Sequence, residues 1–201
     1  MNKTLLSSVI AAVITGVVLS SCGTSKQQAE DSSFDRIDSL RSHFLAIEDT
    51  LLFNWNVMIN DDNERLSDMS RLLDELHYAN AIDSTNAKEL KSKIKQLKAD
   101  RYYMTKMTSE EIDKYDSATF AMAGNIKGMI DNFEEAQRYP FMEELINSIR
   151  DHEGKILMFR VKYDRIAKTH NDFVRNHGGI LDQIDPEYHH TELPLFQLST
   201  E

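Results

Sequence analysis

Apolar residues recur along most of this chain at steps of three and four, the spacing of one face of an α-helix. From Phe34 the series runs through Ile37, Leu40, Phe44, Ile47, Leu51 and Met58, with Leu52 and Trp55 widening the stripe. A second register follows: Ile59, Leu66, Met69, Leu73 and Leu76. Asp61-Asp62-Asn63 falls at the register change, so the pattern fits one bent helix or two helices with a short solvated break. Asn80, Asp83, Ser84 and Asn86 form a polar turn cluster, and Asn86 followed by Glu89 predicts a capping box for a helix carrying Leu90, Ile94 and Leu97. Thr108 and Glu111 predict another. The next helix has the most regular seam: Ile112, Tyr115, Thr119, Met122, Ile126, Met129, Phe133 and Ala136, predicted to end at Tyr139-Pro140. The last begins near Phe141 and steps through Met142, Leu145, Ile149, His152, Ile156, Phe159, Tyr163, Ile166, His170, Phe173 and His177, with Gly178-Gly179 as its stop.

No segment alternates as a strand does. The chain therefore reads as an all-α fold, an elongated antiparallel bundle of three to four long helices whose apolar stripes must be buried against one another. The bundle domain is expected over residues 34–178, with a C-terminal tail over 179–201 that lies against it or is disordered.

The opening residues break this pattern. A single charge, Lys3, precedes an apolar run from Leu5 to Leu19, and Leu19-Ser20-Ser21-Cys22 follows. A positive start, a short apolar stretch and small residues before a cut point mark a secretory signal. The alternative is an uncleaved anchor, but a bilayer span needs about 20 apolar residues. The order of a large aliphatic residue, two small residues and a cysteine resembles the lipobox of bacterial lipoproteins. That resemblance implies a signal peptide over 1–21 and lipidation of Cys22. Residues 22–33, small and polar, would be a lipidated flexible tether.

Composition narrows the function classes. The formal net charge is −10 and no basic stripe occurs, so nucleic acid is not an expected partner. Cys22 is the only cysteine; once acylated it leaves no thiol for catalysis, metal ligation or a disulfide.

The last helix carries a more specific pattern. Glu153, Ile156, Arg160, Tyr163 and Asn171 fall at the spacing of the LemA family signature, with Asp164, His170 and His177-Gly178 at positions where that family has other residues. Glu135, Tyr139 and Pro140 resemble the family's Glu-x-Tyr-Pro with two extra residues inserted. The first long helix matches poorly, because Glu64 to Met69 lacks the expected Pro-Asn. The resemblance implies a membrane-anchored, extracytoplasmic helical bundle with no established enzymatic activity.

Glu153, Arg160, Tyr163, Asp164 and Asn171 are thus the candidate structural or interaction patch, with Arg160 and Asp164 spaced to pair on one face. His152, His170 and His177 occupy seam positions but are too far apart along a helix to share an ion, so no metal is expected. Asp61-Asp62-Asn63-Glu64 lacks the glycine and distant Glu of an EF-hand loop. Methionine and aromatic stripes read as core. No phosphate loop, nucleophile elbow or His-Glu-x-x-His occurs, so neither a catalytic site nor a cofactor is expected. The expected role is that of a lipid-anchored cell-envelope protein acting through contacts with another envelope protein, with self-association left open. Gly23 after the lipidated cysteine, rather than Asp, favours the outer membrane where two exist. The alternative is a periplasmic chaperone or small-ligand carrier using a groove between helices.

Overall fold

The computed structural model describes residues 24–184 and 190–196, with side chains placed over 35–183 and 190–196. Cys22 and the signal segment expected over 1–21 lie outside the described residues. The described elements are α1 (Thr24–Tyr78), α2 (Ser84–Ala99), α3 (Ser109–Asp131), a single 3-10 turn (Ala136–Arg138) and α4 (Pro140–Ile184). No strand occurs among them. The protein is an all-α helical bundle. No helix among the described residues is long and apolar enough to cross a membrane.

The chain divides into two units, residues 1–43 and 44–201. In the first, the described structure is the opening of α1, which begins at Thr24; helix therefore runs through much of the segment expected to be a tether. In the second, the rest of α1 packs with α2, α3 and α4. Asp74 of α1 meets Lys91 of α2, Asp68 of α1 meets Ser148 of α4, and Asp116 of α3 meets Arg160 of α4. With Phe44 against Phe173 at the far end, these pairs define an up-down-up-down arrangement in which α1 and α4 run antiparallel.

α1 has no break at Asp61-Asp62-Asn63. Met58, Asp62, Arg65, Met69, Leu72 and Leu76 continue one three-four seam, and all six are buried. The apparent change of register arises because two seam positions carry charge. Asp62 and Arg65 pair at 2.6 Å inside the bundle, so the cluster expected to be solvated faces the core.

Local chemistry sets the ends. α1 stops in a Schellman motif: Asn80 has φ 59°, its N–H donates to the His77 carbonyl, and the Ala81 N–H donates to the Leu76 carbonyl. Asparagine tolerates this left-handed position better than most residues. Asp83, rather than Asn86, caps α2, accepting from the N–H groups of Thr85 and Asn86. The Thr108–Glu111 capping box forms as expected. α3 ends at Asp131, earlier than expected. The Asn132 side chain donates to the Gly128 carbonyl at 2.8 Å and ends the helical turn there. Phe133, Ala136 and Tyr139 still pack, half-buried, on the core from the connecting segment, so the seam spacing of Phe133 and Ala136 marked packing correctly and α-helix wrongly. Pro140 opens α4, where its missing N–H has no consequence. The expected stop at Gly178-Gly179 is instead a kink at His177 (φ −131°, ψ 15°). The helix resumes to Ile184, with Leu181 buried.

Candidate functional site: a buried polar belt and a clamped strap

Two apolar clusters fill the interior. One gathers Leu66, Met69, Leu72, Leu73, Leu76, Ile126, Met142 and Leu145; the other gathers Leu51, Met58, Tyr102, Tyr115, Tyr163 and Phe196. Polar side chains lie where they meet along α1. Asp62 takes charge-assisted contacts from Arg65 and Arg101 and accepts from the Tyr115 hydroxyl. Arg101 also donates to Asn63. On the α4 side, His152 Nδ1 lies 2.9 Å from Asp61, and Ser148 donates to Asp68 at 2.6 Å. Burial, with the Asp62 carboxylate beside it, pushes the Tyr115 hydroxyl well above its ordinary range. A phenol held so firmly protonated is a structural donor and not an acid for chemistry near neutral pH.

The five residues of the expected patch separate. Arg160 reaches α3, donating to both oxygens of Asp116 at 2.7 Å and to the Tyr102 hydroxyl. Burial opposes its charge, but these partners more than offset that and hold the guanidinium more firmly protonated than usual. Tyr163, Asp164 and Asn171 turn instead to residues 190–196, a non-helical strap on the bundle. The Asn171 amide donates to the Leu193 carbonyl and accepts from the Leu193 N–H, both at 2.8 Å. Tyr163 donates to the Pro194 carbonyl at 3.1 Å, and the Phe196 N–H donates to Asp164 at 2.9 Å. Arg175 pairs with Glu192 at 2.6 Å. The Phe196 ring lies among Trp55, Tyr102 and Tyr163, with the Arg160 guanidinium 4.9 Å from its centroid. Glu153 stands apart: its Oε1 is buried without a hydrogen bond, beside a cavity of about 210 Å³ lined by Leu72, Phe120, Ile126, Ile146 and Ile149.

The seam histidines also separate. His152 is in the polar belt, and His170 packs on Phe44 next to Asn171. Burial pushes the His170 imidazole below its ordinary range, against a smaller upward pull from Asn171. Ligand atoms of Asp61, Glu64 and His152 lie within 4.8 Å of one another, a set of two carboxylates and an imidazole that suits a divalent transition ion. Lys155 already sets an ammonium 4.0 Å from Asp61.

Reading the sequence singled out the α4 residues but missed their partners. Asp62 and Arg65 carried a signal in their seam spacing; Asp116, Arg101 and Tyr102 carried none. The strap's signal was the compact apolar run Leu193-Pro194-Leu195-Phe196 in the tail.

No protein-family model, curated protein or solved structure matches this chain.

Proposed function

We propose that this protein is a lipid-anchored helical bundle of the bacterial cell envelope that acts by binding another protein, LemA-like in plan and without catalytic activity. The observation that carries the reading is the clamp on α4, where Asn171, Tyr163 and Asp164 hold main-chain groups of a non-helical segment. Side chains that bind backbone in this way are the equipment of peptide recognition. The Leu19-Ser20-Ser21-Cys22 pattern supports the anchor, and the resemblance of α4 to LemA supports the extracytoplasmic placement. Outward-facing Phe53, Leu157 and Val161 add apolar surface for a partner. The test is photocrosslinking in intact cells from probes at those three positions, with palmitate labelling of the chain and of Cys22→Ser. The expected result is label lost on substitution and a crosslinked envelope protein. Crosslinks to self alone would defeat the interaction role.

A second reading, a carrier of small apolar ligands, is favoured by the cavity at Glu153, whose buried oxygen offers an acceptor to an amphiphile's donor group. It requires a rise in melting temperature with excess lipid, hydrophobic peptide or long-chain amine.

A further inference from the structure

Residues 190–196 occupy their groove incompletely. Beside them lies a cavity of about 310 Å³ whose walls include Leu52, Met104, His170 and Thr191, with the acidic Glu48 and Asp49. Thr191, a small exposed residue, is the strap residue that borders this space together with His190 and Leu193. The groove thus offers more volume than the chain's own segment uses, and the exposed Asp49 carboxylate stands at its wall. The bonds that hold the strap go largely to backbone: the N–H and carbonyl of Leu193, the carbonyl of Pro194 and the N–H of Phe196. Any extended segment presents these groups at the same repeat. Asn171 in particular pairs with one residue's N–H and carbonyl together, as a neighbouring strand would. Among side chains, Arg175, which also pairs with Asp172, meets the acidic Glu192, and the ring cluster around Trp55 and Tyr163, with Arg160 beside it, meets the Phe196 ring.

We propose that this groove is a peptide-recognition site that the chain's own strap fills in cis, and that its partner is an extended protein segment reading basic–acidic–Leu–Pro–Leu–Phe, with a Lys or Arg where the strap has Thr191. The long basic side chain enters the cavity toward Asp49, and the remaining contacts are those the strap already makes. The strap is then a built-in competitor. This inference rests on the interaction role proposed above and names the chemistry of the partner.

The test uses fluorescein-labelled peptides His-Thr-Glu-Leu-Pro-Leu-Phe and His-Arg-Glu-Leu-Pro-Leu-Phe, followed by anisotropy against the full chain and against Phe196→Ala, which weakens the strap and leaves the groove intact. A tethered competitor acts at an effective concentration in the millimolar range, so Phe196→Ala should bind either peptide about tenfold or more tightly than the unaltered chain. The Arg peptide should bind more tightly than the Thr peptide, and the advantage should shrink with Asp49→Asn. Asn171→Leu added to Phe196→Ala should abolish binding. Because Phe196→Ala removes a buried core side chain, amide exchange is also followed on the unaltered chain. There, excess Arg peptide should expose the Leu193 and Phe196 amides while the helical amides stay protected. Persistent protection of both amides at millimolar peptide overturns the proposal, as does failure of a Phe196→Ala chain with intact helix content to bind either peptide. Concentration-dependent dimers formed without peptide uptake also overturn it, since the occupant would then be a second copy's strap. A chain that takes no peptide yet crosslinks to an envelope protein loses this inference and keeps the interaction role.

Discussion

The two ends of the 44–201 unit are held by different physics. Around Leu72, Leu73 and Leu76, α1 meets Ile126, Met142 and Leu145 in an apolar cluster. Around Tyr163, the same four helices enclose aromatic rings, two arginines and a strap, and most of the polar groups there have a named partner. Stability at the apolar end comes from filled volume, which many combinations of aliphatic side chains supply. At the aromatic end it depends on particular pairs, because a buried charge left without its partner is far costlier than a lost contact. An apolar end specifies that helices pack. A paired end specifies which side chains must face each other, and so which surface is presented to a strap.

The sharpest way to break this contrast is Asp62→Ala. It leaves Arg65 and Arg101 facing each other with a buried Tyr115 hydroxyl lacking its acceptor, and should cost about 3–5 kcal/mol by urea unfolding. Replacing the arginines together with Asp62 by aliphatic residues should restore much of that loss. A triple variant as unstable as the single one would show that the belt is not held by pairing. At the apolar end, Leu72→Ala removes a fully buried side chain and should cost about 2–4 kcal/mol, growing with the cavity left behind. Leu72→Met should cost under about 1.5 kcal/mol. If the two Leu72 variants are equally destabilised, volume is not what matters there.

The smallest effect is one of pH. The folded chain holds His170 below its ordinary pKa of 6.5, so the unfolded chain takes up the proton first as pH falls. Stability from this group is therefore full above about pH 6.5 and declines as pH drops from there through the folded value. His170→Gln should lose less melting temperature than the parent between pH 7.5 and pH 5.5, the difference corresponding to at most about 1.4 kcal/mol per pH unit. Equal losses would mean that the imidazole is already free to charge in the folded state.

What could be read from the chain tracks these two ends. Apolar spacing located the four helices and most of the Leu72 end, where burial follows hydrophobicity, but it passed over Leu72 itself and took Met129 in place of Ile130. It misread α1 at Asp62 and Arg65, since a seam position occupied by a charge looks like a gap until the partner from another helix is known. It carried α3 too far, because Phe133 and Ala136 pack half-buried against the core without being α-helical. The Thr108–Glu111 box was legible as a local bond over three residues. The α4 patch was recognised as residues but not as a clamp. Asn171 meets Leu193 across 22 positions, and Arg160 meets Asp116 across 44, distances at which periodicity carries no information.

Trp55 is the chain's single tryptophan, and its indole stands 6.4 Å from the Phe196 ring, nearly parallel to it, with Tyr163 at 5.4 Å and Tyr102 at 6.1 Å. An indole's emission colour and yield follow its immediate surroundings, and the strap contributes one wall of them. The molecule therefore carries an intrinsic optical gauge: detachment of residues 190–196 should alter ultraviolet fluorescence from one identifiable site, with no dye attached.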